Sequence, residues 1–370
     1  MSIVTRAPAA IRAISPYVPG KPISELAREI GLDEAKIVKL ASNENPLGMS
    51  PLAQKALFNS LADIPRYPDG NAFALKTALA QKYQLTPANI LLGNGSNDVL
   101  ELIAAPLLLE GGSAIYAQHA FAVYPLATQA HGGRGIEVPA KDYGHDLDAM
   151  LAAIEPDTRL IFIANPNNPT GTFIPGPALQ AFIARVPADV LVVLDEAYTE
   201  YLAPQDQYNA IDWLAAFPNL LISRTFSKAY GLAGLRVGYA LAQPDVIDLL
   251  NRVRQPFNVS VPAQAAAIAA LADTDFLFQS AQLNAQGMQQ LTQAFQNLNL
   301  PWIPSHGNFV TVQVSNSPQE TARINQSLLT QGVIVRPIGG YGLPTWLRVS
   351  IGLESENARF ITALQHALKN

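Results

Sequence analysis

The stretch SRTFSKAYGLAGLRVG, residues 223–238, decides how both the fold and the chemistry of this chain are interpreted. It follows an apolar run, residues 219–223, that predicts a buried strand. The stretch then offers two hydroxyl side chains, the amine of Lys228 and, eight positions further on, the guanidinium of Arg236. These groups could hold a phosphorylated carbonyl compound, although a lysine in a glycine-rich loop is more often an ordinary surface residue.

The composition is that of a large globular protein. The chain has 370 residues, of which 49% are hydrophobic and 14% charged, so it can bury a sizeable core. The formal net charge is −5 and no basic tract is present, so nucleic-acid binding is not indicated. Cysteine is absent, which excludes disulfides and cysteine nucleophiles, and the five histidines show no metal-ligand spacing.

The first 20 residues contain two arginines and no apolar core, so we predict no secretory signal. The most apolar run, residues 99–109, contains Glu101 and Pro106. It is far shorter than the roughly 20 apolar residues that a membrane-spanning helix needs. We therefore expect a cytoplasmic protein that does not contact a membrane.

From residue 89 onward, short apolar segments alternate with helical patterns. The predicted strands are residues 90–92, 113–117, 135–138, 160–164, 190–194, 220–222 and 237–241. Apolar strands between helices are typical of a mostly parallel sheet with helices on both faces, so we predict an α/β fold. Ligands bind at the carboxyl ends of such strands, where four polar loops follow: GNGSND, NPNNPTG, DEAY and SRTFSK.

The pattern divides the chain into three parts. Residues 1–45 are expected to form an N-terminal arm together with a segment of a smaller domain. Residues 46–270 carry the predicted sheet and form the large domain. Residues 271–370 alternate helices and strands in α+β order, which predicts a smaller C-terminal domain.

The loop GNGSND, residues 93–98, precedes a predicted helix. Free N–H groups and the positive end of the dipole at a helix N-terminus suit a phosphate, and Ser96 and Asn97 can add side-chain donors. The loop is neither a Walker A motif nor a complete dinucleotide fingerprint. Anion binding and simple helix capping both remain open for it.

Asp195 directly follows buried aliphatic residues, where a carboxylate is costly unless a cation pairs with it. A protonated pyridine nitrogen is a suitable partner, and helix capping is the alternative. Tyr198 and Asn168 could donate to a phenolate oxygen on the same ring, although Asn168 alone is more typical of a turn. Phe121 could stack on the ring or pack in the core. Arg348, in a late strand, could clamp a carboxylate or form an internal salt bridge.

The motifs together are far more specific than each one alone. Asn168 lies 27 residues before Asp195, Lys228 lies 33 residues after it, and Arg236 follows at 8. With the late WLRVSIG segment, this order and spacing resemble the fold type I pyridoxal phosphate (PLP) aminotransferases over nearly the whole chain. Within that superfamily, the chain resembles the histidinol-phosphate aminotransferases. The segments that carry this likeness are SPYVPGKP (15–22), LASNENPLG (40–48), RYPDG (66–70) and AFAVYP (120–125).

The resemblance implies a role for each candidate residue. Lys228 forms the Schiff base with PLP and moves the proton, Asp195 pairs with the pyridine nitrogen, Phe121 stacks on the ring, and Tyr198 and Asn168 contact the ring oxygen. The residues implied to hold the cofactor phosphate are Gly95, Ser96, Asn97, Thr225, Ser227, Arg236 and, from the neighbouring subunit of a homodimer, Tyr67. The residues implied to face the substrate are Tyr17, Asn45, Arg336 and Arg348.

The implied reaction transfers the amino group of L-histidinol phosphate to 2-oxoglutarate, giving imidazole-acetol phosphate and L-glutamate in histidine biosynthesis. Two positions depart from the family, since Phe121 and Phe257 stand where tyrosine is common. An aromatic aminotransferase on the same scaffold therefore stays open, because an imidazole and a phenyl ring can share an apolar pocket. Less favoured alternatives are a phosphoamino-acid decarboxylase and a PLP-binding regulator, which would need a DNA-binding module.

Overall fold

The N-terminal arm leads into the small domain before the large domain begins. The structure is a computed structural model that describes residues 2–17 and 19–369. Its first elements are helices α1 (Ala9–Arg12) and α2 (Ile23–Ile30) and strand β1 (Val38–Lys39). Helix α2 ends where Gly31 takes a left-handed φ of 69°, which glycine adopts without steric cost.

The large domain alternates strands and helices as predicted. Helices α3 (Pro51–Ser60) and α4 (Phe73–Tyr83) precede its sheet. The alternating elements that follow are β2 (Ile90–Gly93), α5 (Ser96–Leu108), β3 (Ser113–Ala117), α6 (Val123–Ala130), β4 (Arg134–Val138), α7 (Leu147–Ala152), β5 (Thr158–Ala164), α8 (Gly176–Ile183), β6 (Leu191–Asp195), β7 (Leu220–Thr225), β8 (Gly238–Leu241), α9 (Pro244–Asn251) and α10 (Val261–Ala272).

These strands form one seven-stranded sheet in the order β2-β8-β7-β6-β5-β3-β4. Strand β8 runs antiparallel to both of its neighbours, and the other strands are parallel. Ile161 and Ile163 of β5 belong to the core on one face of the sheet, whereas Leu160 and Phe162 belong to the core on the other. Because helices cover both faces, residues 160–164 of this strand are all apolar and buried, which confirms the α/β prediction.

The small domain contains helices and antiparallel strands. Its elements are α11 (Thr274–Asn297), β9 (Trp302–Ile303), β10 (Phe309–Gln313), α12 (Pro318–Thr330), β11 (Val333–Ile334), β12 (Arg336–Pro337), β13 (Trp346–Ser350) and α13 (Glu354–Lys369). One sheet has the order β12-β13-β10-β9, and β1 of the arm pairs in parallel with β11. These pairings support the division that we propose, with boundaries near residues 45 and 270.

Among the described residues, no single helix is long and apolar enough to cross a membrane. Helices α10 and α11, which meet at a 79° bend, pass that test only when they are taken together.

Candidate active site

Four polar loops meet at one edge of the large sheet. Strands β2, β5, β6 and β7 point the same way, so the loops that follow them share that edge. A cavity of about 190 Å³ opens there, between the sheet, the N-terminal arm and the small domain. Its lining includes these predicted site residues: Tyr17, Ser96, Asn97, Phe121, Asn168, Asp195, Tyr198, Thr225, Ser227, Lys228, Arg236, Arg336 and Arg348.

Lys228 is partly buried and presents its amine to this cavity. Its Nζ donates a hydrogen bond to the carbonyl oxygen of Ser42 at 3.0 Å and lies 5.9 Å from the centre of the Tyr198 ring. Burial, followed by the positive charges of Arg348 and Arg236, lowers the pKa of Lys228 to about 8. A larger fraction of the amine is therefore neutral near pH 7 than for an ordinary lysine, as a nucleophile or base requires.

Asp195, at the end of β6, has one carboxylate oxygen that is paired and one that is not. The Tyr124 hydroxyl donates to Oδ2 at 2.9 Å, whereas Oδ1 is buried without a hydrogen-bond partner among the described residues. Burial raises the pKa of this carboxyl to about 6. A buried acceptor without a donor is costly, so the site fits a group that brings its own N–H, such as a protonated pyridine ring.

Tyr198 and Asn168 lie on either side of the same space, and each is held by a second residue. Asn43 Nδ2 donates to the Tyr198 hydroxyl at 3.0 Å, and Arg348 Nη1 donates to Asn168 Oδ1 at 2.5 Å. Burial raises the pKa of Tyr198 to about 12, so the phenol keeps its proton at neutral pH. Both side chains can therefore act as donors to an oxygen on a bound ring.

The groups suited to a phosphate lie around the N-terminus of α5. Gly95 caps this helix with a φ of 83°, and a side chain there would overlap with the Arg236 guanidinium, whose carbon lies 2.9 Å from the ideal Cβ position. Arg236 Nη1 also lies 3.4 Å from Ser227 Oγ, and the Ser227 amide donates to Thr225 Oγ1 at 3.1 Å. Because Gly95 has no side chain, the Arg236 guanidinium can approach the N-terminus of α5, where the helix dipole is positive. The guanidinium and the helix N-terminus together form a site for an anion.

Arg348, on β13, forms the opposite wall. It donates to the carbonyl oxygen of Ala41 at 2.7 Å as well as to Asn168, and its Nε is buried without a partner among the described residues. None of the ion pairs in residues 2–17 and 19–369 includes Arg348, so the internal salt bridge is not formed there. Arg336, on β12, lies 5.4 Å from the ring of Tyr17. Arg336 and Arg348 therefore both line the cavity, where their guanidinium groups can bind an anion.

Three predicted residues are not part of the cavity lining. Gly95 lies directly beside it and shapes the approach of Arg236. Asn45 is buried, and its amide donates to the Ala229 carbonyl and to Ser280 Oγ, both at 2.8 Å. Tyr67 is 82% exposed and stacks on Phe257 at 4.7 Å between ring centres. The substrate role of Asn45 and the cofactor role of Tyr67 stay predictions.

Sequence reasoning missed four residues that the structure brings to the site. Ser42, Asn43, Tyr124 and Tyr341 all line the cavity. Tyr124 lies in the first turn of α6, three positions after Phe121, and the two rings meet edge-on at 5.8 Å between centres. Tyr341 follows two glycines in a turn and carries no sequence signal. Among the described residues, no cluster of three or more His, Asp or Glu side chains could hold a metal ion.

Known proteins are similar to this chain over nearly its whole length. Residues 35–364 match the family "Aminotransferase class I and II". The chain is 63% identical to histidinol-phosphate aminotransferase 2 of Ralstonia nicotianae, over 98% of this chain and 96% of that one. It is 62% identical to histidinol-phosphate aminotransferase 1 of Cupriavidus pinatubonensis, over 97% and 96%. The solved histidinol-phosphate aminotransferase of Sinorhizobium meliloti in complex with pyridoxal-5'-phosphate superposes with a TM-score of 0.91, at 32% identity over 99% and 98%.

Proposed function

The chain belongs to the aminotransferase class I and II family, and we propose that it transfers the amino group of L-histidinol phosphate to 2-oxoglutarate. The products are imidazole-acetol phosphate and L-glutamate, as in histidine biosynthesis. One observation carries the proposal: a single cavity combines the Lys228 amine, the unpaired Asp195 oxygen and two arginines. Relatives at 63% and 62% identity that carry the name histidinol-phosphate aminotransferase support this choice of substrate.

The enzyme depends on PLP, and the residues of the large domain fit this cofactor. Bound PLP supplies an electron-accepting ring that stabilises the negative charge developing at the substrate Cα. We assign Lys228 Nζ the removal of the Cα proton, because its lowered pKa leaves a usable base at neutral pH. Asp195 Oδ1 would accept a hydrogen bond from the ring nitrogen. Tyr198 and Asn168 would donate to the ring oxygen, and Phe121 would stack on the ring face.

The cofactor phosphate is assigned to the anion site at the start of α5. The helix dipole, the backbone amides and the Arg236 guanidinium all favour a doubly charged group there. The residues assigned to this phosphate are Gly95, Ser96, Asn97, Thr225, Ser227 and Arg236. Together these residues would hold the phosphate end of the cofactor.

Arg336 and Arg348 explain how one cavity can bind two chemically different substrates. In a ping-pong reaction, histidinol phosphate and 2-oxoglutarate use the same cavity in turn. The first brings a phosphate and no carboxylate, whereas the second brings two carboxylates. A guanidinium fork binds either anion with two parallel hydrogen bonds, so the same arginines can serve both half-reactions. Tyr17 beside Arg336 then covers the substrate from the arm.

The half-reaction tests this assignment directly. The holoenzyme is mixed with histidinol phosphate alone, and the change in cofactor absorbance is followed. We expect a full change, with a kcat/KM well above that for phenylalanine. A higher kcat/KM for phenylalanine would move the protein to the aromatic aminotransferases. Carbon dioxide released from a phosphoamino acid, with no oxoacid acceptor, would identify a decarboxylase.

We also propose a homodimer in which Tyr67 reaches the cofactor phosphate of the neighbouring subunit. Its support is a set of large apolar side chains exposed in and near α3, of a kind that marks interfaces: Leu52, Phe58, Leu61, Ile64, Tyr67, Phe73 and Phe257. Sedimentation gives the subunit number. Mixing Lys228→Ala and Tyr67→Ala subunits tests the shared site, because one of the two sites in each mixed dimer is intact. Random mixing then restores up to roughly a quarter of wild-type activity, whereas a monomer restores none.

The cytoplasmic location is likewise a proposal. It rests on the proposed biosynthetic reaction, which relatives at 63% and 62% identity that carry the name histidinol-phosphate aminotransferase support. Activity in the soluble fraction after gentle cell lysis, with none in the periplasmic or membrane fractions, is the expected outcome.

A further inference from the structure

We propose that Tyr124 is a positioning residue for the cofactor: its hydroxyl holds one oxygen of Asp195, so that the other is presented to the ring nitrogen. The inference rests on the proposed use of PLP, because only a cofactor with a ring nitrogen needs that oxygen. It concerns a residue outside the four strand-end loops, carried by helix α6 on one face of the sheet. Tyr124 itself contributes no proton and makes no bond in the reaction.

The two carboxylate oxygens of Asp195 have different surroundings. Oδ2 accepts a hydrogen bond from the Tyr124 hydroxyl at 2.9 Å, and Oδ1 has no partner among the described residues. A carboxylate that can rotate about its last bond presents either oxygen in turn. The hydrogen bond from Tyr124 removes that freedom and fixes which oxygen meets the ligand.

Tyr124 is itself held in place by packing. Its side chain is fully buried, and its ring stacks on Phe162 with 4.8 Å between centres and 5° between planes. Phe121, the residue assigned to the cofactor ring, meets it edge-on at 5.8 Å. Phe162 lies on β5, which pairs directly with β6, so Tyr124 packs on the strand next to the one that carries Asp195. A donor on so rigid a support defines the orientation of its acceptor.

The hydrogen bond from Tyr124 favours the charged form of Asp195. Burial raises the pKa of Asp195, and the hydrogen bond from Tyr124 opposes this rise. Burial and the nearby Asp195 charge also keep the pKa of Tyr124 well above its usual value, so the phenol stays protonated and remains a donor. The pair therefore keeps a carboxylate ready for a protonated ring nitrogen. Hydrogen bonds to charged groups commonly change an equilibrium by about tenfold to a hundredfold.

The test is the substitution Tyr124→Phe, which removes the hydroxyl and keeps the ring against Phe162. Apoenzyme is titrated with PLP and, separately, with a carbocyclic analogue in which a C–H group replaces the ring nitrogen. We expect PLP to bind at least about tenfold more weakly than to wild type, and the analogue to bind equally well. Tyr116→Phe is the matched control, since Tyr116 is a buried tyrosine in the same core that does not line the cavity. It should change neither affinity.

Comparing PLP with the carbocyclic analogue distinguishes a positioning role of the Tyr124 hydroxyl from a role in packing. An equal loss for PLP and for the analogue would overturn the inference, because it would mean that the hydroxyl only supports the shape of the cavity. Unchanged PLP affinity would overturn it as well. A thermal unfolding midpoint close to that of wild-type apoenzyme shows that the variant is folded. Failure of the wild-type protein to bind PLP would instead count against the proposed function, so the two failures are distinguishable.

Discussion

The two walls of the active-site cavity are built in different ways. The wall of the large domain takes Asn168, Asp195 and Lys228 from loops that follow three neighbouring strands, β5, β6 and β7. The opposite wall takes Tyr17 from the N-terminal arm and Arg348 from the small domain, more than 300 residues away in the chain. One wall is assembled by a single sheet, and the other by the docking of separate parts.

This difference assigns a different task to each wall. In the sheet, Asp195 is in register with Ala164 and with Ser223, so backbone hydrogen bonds fix its height relative to both neighbouring loops. The other wall is joined to the sheet by side chains, through Arg348 to Asn168 and through Thr311 Oγ1 to the Pro169 carbonyl oxygen at 2.6 Å. The rigid wall therefore suits the chemistry, and the docked wall suits the choice of substrate.

The largest effect is expected from Lys228→Ala, on the rigid wall. Removing the amine removes the base, and we expect the half-reaction with histidinol phosphate to slow by about 10⁴-fold or more. The measurement is the single-turnover change in cofactor absorbance. Lys55→Ala, at an exposed lysine of α3, is the control and should keep the wild-type rate. A variant at Lys228 that retained a tenth of the rate would show that another group moves the proton.

Arg336→Gln probes the docked wall and should have a smaller, selective effect. Loss of a charge-assisted hydrogen bond to the substrate phosphate should lower kcat/KM for histidinol phosphate by about 100-fold. Phenylalanine carries its only anionic group, a carboxylate, on the carbon that bears the amine, and Arg348 is the residue expected to clamp a carboxylate. The kcat/KM for phenylalanine should therefore change by no more than about threefold. An equal loss of kcat/KM for both substrates would mean that Arg336 maintains the shape of the cavity and does not bind the substrate phosphate.

The contrast between the walls also explains how much the sequence could predict. The central strands β5 and β6 are short, largely apolar on both faces and followed by polar loops, so local patterns suffice to place Asp195 and Lys228 at one edge. Arg336 and Arg348 are single arginines in ordinary strands. Only the resemblance to a family, and not any local pattern, indicated that they face the same cavity.

The residues that escaped prediction act through contacts that are distant in the chain. Tyr124 meets Asp195 across 71 positions, and Asn43 meets Tyr198 across 155. In the sequence, Tyr124 is one more aromatic residue of an amphipathic helix, and Asn43 is one more turn residue. No periodicity reports that two such side chains touch, because that depends on how the helix and the arm pack against the sheet.

The third prediction concerns the pH dependence of the Lys228 amine. Burial and neighbouring cations lower its pKa to about 8, from about 10.4 for an unperturbed lysine. Reaction of the apoenzyme amine with an amine-selective reagent, quantified by mass spectrometry, should therefore rise with pH to a midpoint near 8. Arg348→Met removes a positive charge that disfavours the protonated form, so it should move the midpoint to higher pH. A midpoint above 10 in the wild-type protein would contradict the buried position of the amine.

The smallest effect is expected from Phe257→Tyr, which adds one hydroxyl beside Tyr67. Phe257 stacks on Tyr67 at 4.7 Å, so if Tyr67 reaches the neighbouring subunit's site, Phe257 accompanies it. We expect the added hydroxyl to donate to the substrate phosphate, whereas Tyr67 is assigned to the cofactor phosphate, so kcat/KM for histidinol phosphate should rise by about threefold to tenfold. The value for phenylalanine should not change, since that substrate has no phosphate. Phe278→Tyr is the control, as it places a hydroxyl on another exposed phenylalanine, one in helix α11 of the small domain. Equal changes for both substrates would place Phe257 away from the phosphate and leave substrate selection to the arginines of the docked wall.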